Sequence, residues 1–285
     1  MKIHSNISPL PFYADINEQN HRKSYAYGQV YPLVSAGDYI LPFQFIYENP
    51  IANASFSNGY NDDFSTDVTQ SNIGGIKAVR LVALDSGLAT DITASMVRQG
   101  LSIFQSSSGL YRIKYPGGRI SIQPGYYYLE LAFTGVSDIL YSDVFLSTPD
   151  TSSCIRIDYS NSRDLALPVG SIDFSNFKFT CYLDTIIGKP EYSYEEEATS
   201  RNGYTFIESQ VSKKTYRFTA LAPEYLCDAL RIVRLCNSKT IFSGGKTFEA
   251  LTFGMDVKWE EQGDLASIEC DFETDTVIFN IGNTR

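Results

Sequence analysis

The chain has 285 residues, 43% of them hydrophobic, which is enough to bury a real core and, at about 100–200 residues per domain, to make two domains. Its formal charge of −10 argues against a nucleic-acid backbone as partner and against anionic membranes. Phosphate binding needs clustered Lys and Arg, and the only basic doublets are Arg22-Lys23 and Lys213-Lys214.

In chain order, residues 1–30 are polar and irregular, with Pro9-Leu10-Pro11 near the start. They are read as an extended N-terminal arm held by a neighbouring subunit or a second protein, the alternative being that they pack on their own domain. The opening residues lack the apolar centre of a secretory signal, and no run has the length of a membrane span, so the chain is expected to be made in the cytoplasm without membrane insertion. From residue 31 the pattern becomes strands and turns, favoured by 20 Tyr and 18 Phe, whose flat rings suit a pleated, half-buried surface. Strands are predicted over residues 39–47, 76–84, 101–105, 110–115, 126–133 and 139–146. Pro42 is placed at an edge or bulge because it cannot donate to a ladder. Turn signals lie between them: Asp85-Ser86-Gly87, Ser108-Gly109, Pro116-Gly117-Gly118 and Pro124-Gly125. Short strands without intervening helices predict an antiparallel β-sandwich or jelly-roll-like domain over residues 31–149.

One stretch interrupts that rhythm. Residues 48–75 are rich in Asn, Ser, Asp, Thr and Gly and exceed the roughly 12–15 residues beyond which unstructured loops become uncommon. This is the candidate contact loop, with Asn58, Tyr60, Asn61, Asp62, Asp63 and Asp67 able to hydrogen-bond and stack on a sugar, although their spacing does not match a calcium hand; the alternative is a mobile or subunit-contacting insertion. As an insertion between strands it is expected to be dispensable for folding.

Residues 147–153 form the predicted linker, and residues 150–285 read as a β-rich α+β domain with one helix packed on an antiparallel sheet. Strands are expected over 155–159 and 177–183. A polar, acidic excursion over 188–203, centred on Glu195-Glu196-Glu197, is read as the protruding, solvated tip of a hairpin that returns over 204–218. Pro223 suits the start of a helix over 223–236, in which Leu226, Ala229, Leu230 and Val233 fall at i, i+3, i+4 and i+7. Strands over 239–242, 247–259 and 265–279 follow. In the last, Glu269, Asp271, Glu273 and Asp275 alternate with Ile268, Cys270 and Phe272, so the four acids are expected on one outer face as candidate interface residues.

Catalytic signatures are weak. Gly244-Gly245-Lys246-Thr247 resembles the end of a phosphate loop, but Thr240 stands where the first glycine belongs and a strand follows where a helix should begin. There is no Gly-x-Ser-x-Gly elbow, and the only histidines, His4 and His21, lie in the polar lead. Five cysteines without paired close spacing read as reduced, buried thiols. Carboxylate glycosidase chemistry ranks last among the readings, because the acids alternate along one strand face. No catalytic residue, cofactor or metal is expected, and the chain is read as not an enzyme.

Several blocks carry a resemblance: Leu41-Pro42-Phe43-Gln44-Phe45, residues 124–129 with 141–145, residues 223–230, and residues 262–267 through 272–275. They look like uncharacterised proteins of phages and prophages of Bacteroides-type gut bacteria, similar to tail or baseplate structural components. The resemblance implies a virion protein that works by symmetric self-assembly, with copies of itself and other virion proteins as partners, and it assigns no site residue. A second reading, from a different class, is a carbohydrate-binding or adhesin module that holds a host surface glycan with the first sandwich and its loop.

Overall fold

The computed structural model describes residues 2–5, 7–16, 33–48, 63–70, 73–167, 169–259 and 265–280. The fold is mainly β, as the strand-and-turn rhythm predicts, and its strands pair antiparallel except for Phe145–Thr148 with Val34–Ala36, which run parallel. Up to Thr148 two main sheets form. One runs in the order Lys2–Ser5, Phe43–Glu48, Leu110–Tyr115, Ser102–Gln105, Thr66–Asp67. The other joins Phe12–Tyr13, Ile139–Ser142, Gly125–Phe133, Phe145–Thr148 and Val34–Ala36, and its long strand Gly125–Phe133 also pairs with Ile76–Ala83. Alternation aims the side chains: in Leu110–Tyr115 the residues Tyr111, Ile113 and Tyr115 are buried, with Arg112 and Lys114 only half-buried between them. The Tyr115 and Tyr111 rings meet Phe43 and Tyr47, and with Ile113 and Phe45 they form one core with Leu129, Leu131 and Phe133 from the second sheet.

Four expectations need correction here. The lead is not an extended arm where it is described, since Lys2–Ser5 pairs with Phe43–Glu48, Phe12–Tyr13 pairs with Ile139–Ser142, and Ile7, Leu10 and Phe12 are buried. Residues 17–32 lie outside the described residues. Part of the expected loop belongs to the core: Phe64 and Val68 are buried, Thr66–Asp67 pairs with Ser102–Gln105, and the Thr69 hydroxyl accepts from the Ile103 N–H at 2.9 Å. Excising residues 48–75 therefore removes core side chains and is not neutral. Two predicted strands are each a pair: 39–47 breaks at Leu41-Pro42, where proline has no N–H, and 139–146 breaks at Asp143, whose N–H donates to the Pro11 carbonyl at 2.9 Å. A short helix, Thr93–Arg98, was not foreseen, because six residues with one buried side chain, Met96, show no period.

Beyond residue 150 a four-stranded sheet has the order Phe179–Leu183, Ile155–Ser160, Ser238–Ser243, Lys246–Glu249, and another has the order Glu191–Arg201, Tyr204–Pro223, Leu265–Asn280, Gly254–Trp259. The predicted strand over 247–259 is thus two strands in different sheets, separated at Ala250, whose N–H donates to the Lys239 carbonyl. The helix spans Glu224–Val233, with Pro223 as its extended N-cap, Glu224 in the first turn and Arg231 in the last, each matching the helix dipole. Leu226, Ala229, Leu230 and Val233 are all buried, as their spacing predicts, and Leu226, Leu230 and Val233 share one cluster with Ile157 and Cys181 of the first sheet and Ile268, Cys270 and Phe272 of the second. The helix ends three residues before Cys236, so that thiol is buried beyond it and not on it.

Strand pairing among the described residues does not cross Pro149, but packing does. Ile46, Phe64 and Leu110 share a cluster with Ile172 and Phe174. The fully buried Gln44 amide donates to the Asp173 carbonyl at 2.9 Å, and its oxygen accepts from the Asp173 N–H at 2.7 Å. Lys114 Nζ meets the Asp173 carboxylate at 2.6 Å. Burial pushes the Asp173 carboxyl up, but Lys114, Ser175 and the Asn176 N–H together outweigh it and hold the group below its ordinary value. A depressed folded value means that the contribution is present above the unfolded value, about 3.9, and is lost as pH falls through the folded one. Asp173→Asn is therefore expected to flatten the decline in stability below about pH 4 relative to the unaltered protein, as read by denaturant titration at several pH values. An unchanged acid limb would count against this linkage.

Candidate functional site

The feature that stands out from the two packed halves is the far end of the second-half sheet. Glu191–Arg201 and Tyr204–Pro223 pair over the full length of the shorter strand, closed by Asn202-Gly203, both at positive φ. This is the geometry of a tight hairpin turn, for which Gly and Asn are the usual residues. The acidic run is therefore strand, and the expected solvated loop over 188–203 is corrected to a ladder over Glu191–Arg201 with one register shift after Glu197. Glutamates tolerate it because they find partners across the ladder: Glu195 with Lys213 at 2.8 Å, Glu196 with Gln210 at 2.7 Å and Glu197 with Ser209 at 3.0 Å. Past Tyr216 and Phe272, where the core ends, Tyr204–Pro223 continues with Glu191–Arg201 on one side and the end of Leu265–Asn280 on the other. At about 3.3 Å per residue, positions 204–214 carry this extension roughly 30 Å, three-stranded from 209 to 214 and a two-stranded hairpin beyond.

Its faces follow from the register. Thr219↔Glu269, Arg217↔Asp271 and Thr215↔Glu273 pair across the ladder, while Ile268, Cys270 and Phe272 point to the core. The next pair is Lys214↔Asp275, so Thr274 is the extra residue of a bulge, and a bulge of one residue reverses the alternation. Glu269, Asp271 and Glu273 share the outer face as expected; Asp275 does not, and lies on the face of Lys214 and Tyr216. That is a correction to the stripe of four acids. The outer face is also not purely acidic: Lys258 Nζ is 3.9 Å from Glu269, Arg217 lies opposite Asp271 and reaches Glu191 at 3.3 Å, and Lys213 sits in the same face. Asp271 folds onto its own sheet over Gly254, where a Cβ would collide with the carboxylate. Exposed pairs of this kind contribute little, so the triple variant Glu269→Gln, Asp271→Asn, Glu273→Gln is expected to change stability by less than about 1 kcal/mol in thermal unfolding. A loss well beyond that would place these acids in a structural network.

The extension exposes apolar side chains on both faces. Tyr192, Tyr194 and Val277 share the face of Lys214; Tyr204 and Ile278 share the other. At its base a cleft of about 410 Å³ is lined by Ile186, Ile187, Pro190, Tyr216 and Phe248, with Lys189 and Lys246 at the rim. The exposed aromatics among the described residues, Tyr192, Tyr194, Tyr204 and Trp259, all belong to this sheet.

The candidate loop residues are divided. Asn58, Tyr60, Asn61 and Asp62 lie outside the described residues. Asp63 and Asp67 are exposed, and the Asp67 carboxylate accepts from the Thr69 N–H at 2.9 Å, at the edge of a cleft shared with Gln70, Val97 and Ser102. Among the described residues no group of three or more His, Cys, Asp or Glu is gathered to hold a metal, and no helix is long and apolar enough to cross a membrane.

All five cysteines are free and buried. Burial pushes the Cys227 and Cys236 thiols up to about 11 and Cys181 up to about 12, with Cys154 and Cys270 raised for the same reason. Thiolate, the reactive form, is scarce near pH 8 in such settings. A disulfide-exchange reagent is expected to leave the native protein unmodified at that pH and to titrate five thiols after unfolding. Rapid labelling of the native protein would reveal an accessible thiol.

No family model, no curated protein and no solved structure matches the chain.

Proposed function

We propose that the protein is a structural subunit of a virion, of the phage tail or baseplate type, made in the host cytoplasm and working by contact with copies of itself and with other virion proteins. The observation that carries this reading is the extension, which leaves the core and presents Tyr192, Tyr194 and Val277 on one face and Tyr204 and Ile278 on the other. A sheet end with apolar groups on both faces gains by being covered, and contiguous exposed apolar surface marks interaction sites. The sequence blocks similar to tail and baseplate components support the same class.

The test is assembly. Replacing residues 194–212 by Asn-Gly joins Ser193 to Lys213, which already face each other, through a two-residue hairpin turn. The shortened protein is expected to fold with little loss of thermal stability and to fail to enter virions imaged by electron microscopy, whereas the full chain enters them. Equal incorporation of both proteins would overturn the role of the extension, and absence of the full chain from virions would overturn the subunit reading.

A further inference from the structure

The two long edges of the extension differ in chemistry. Glu191–Arg201 forms one edge and carries Glu191, Glu195, Glu196, Glu197 and Arg201, the kind of charge density that blunts an open strand edge against pairing. The other edge belongs to Leu265–Asn280. Gly254–Trp259 covers it only from Ala266 to Asp271, and the chain makes its last contacts there at Glu273, through the Leu251 N–H and the Thr252 hydroxyl. From Asp275 to Asn280 this edge pairs with no strand among the described residues. Its sequence from Thr276 to Asn280 has no charge, no proline and no glycine, and it begins with three β-branched residues. Val277 is 63% exposed and Ile278 is 62% exposed, on opposite faces. An unprotected apolar edge beside a protected one is a template for strand addition.

We propose that this edge pairs with the same edge of a second copy, antiparallel about a two-fold axis near Val277, so that the two extensions form one continuous sheet. The occupant follows from charge. A chain of net charge −10 repels its own copies, so they meet at least cost where no charge stands, and residues 276–280 are such a place. In an antiparallel pairing centred on Val277, Val277 faces Val277 of the second copy and Thr276 faces Ile278 of the second copy; Asp275 faces position 279, which is Phe, so no like charges oppose. The edge at Glu191–Arg201 offers a glutamate run instead. The same patch on both copies makes the contact isologous and closed, a pair that larger rings can use as a building block.

This inference rests on the structural-subunit reading, and the experiment separates the two. The full chain is examined by sedimentation velocity and light scattering from about 1 to about 100 μM, a range that detects modest interfaces. The expected species has twice the 31.9 kDa chain mass. Val277→Lys and, independently, Ile278→Lys, both at exposed positions, are expected to keep their β circular dichroism and to weaken association roughly ten-fold or more, because the first sets lysine directly against lysine across the ladder and the second sets two lysines on the diagonal of the same pairing, each buried against Thr276 of the other copy. Mixing Val277→Lys with Val277→Glu should restore the pair, while Glu196→Lys on the protected edge should leave it unchanged. Persistence of the pair in both lysine variants, or failure of the opposite-charge mixture to associate, overturns the two-fold edge pairing. A wild-type protein that stays monomeric yet enters virions sinks that pairing alone, and one that is monomeric and absent from virions sinks the subunit reading with it.

Discussion

Phe12→Ala is expected to lower the free energy of unfolding by about 3–5 kcal/mol, the range for deleting a buried aromatic ring. Phe12 is fully buried, and its ring centroid lies 4.7 Å from those of both Phe43 and Phe45. The residue is held there by the pairing of Phe12–Tyr13 with Ile139–Ser142 and by the Asp143 N–H on the Pro11 carbonyl. The loss combines the transfer free energy of the ring with a cavity that two sheet-anchored neighbours, Phe43 and Phe45, cannot close. Denaturant titration of Phe12→Ala beside the exposed Asp15→Ala, expected near zero, measures it. A loss below about 1 kcal/mol would mean that the lead is only loosely attached, and the original reading of an arm would return.

Leu230→Ala is expected to cost about 2–5 kcal/mol. Leu230 has no exposed surface and sits at the centre of the cluster that ties the helix to both second-half sheets. Since the helix is buried on most of its circumference, by Tyr225, Leu226, Cys227 and Ile232 as well as the spaced positions, the backbone has little freedom to shift and fill the void. On the same helix Arg231 is exposed and reaches Asp228 at 3.2 Å, so Arg231→Ala should fall within about 0.5 kcal/mol of the unaltered protein. Equal losses at 230 and 231 would show that the helix is displaced from the sheet in solution.

Residue order alone reveals the elements in which local periodicity reports burial. Alternation marked Leu110–Tyr115 and the inward set Ile268, Cys270 and Phe272, and the i, i+3, i+4, i+7 spacing after Pro223 marked the helix, because in each case the residues that must leave water are spaced as the element's own geometry spaces them. The Asn202-Gly203 turn suits its residue types, since only a few accept positive φ, but the acidic run upstream drew the expected tip to 195–197.

Features that depend on partners distant in the chain emerge only once the chain is folded. Residues 2–13 look too polar and irregular to be core, yet strands about 40 and 130 residues away receive them, and local composition holds no record of that. The glutamate run at 195–197 reads as solvated loop until Lys213, Gln210 and Ser209 are brought opposite it. Asp275 belongs to the outer acids by alternation, and it is the bulge at Thr274, set by the register against Lys214 and Thr215, that turns it to the other face. The open edge from Asp275 to Asn280 arises in the same way: Gly254–Trp259 is cut short because the chain before it crosses into another sheet, a choice made by packing and invisible in a window of strand-forming residues.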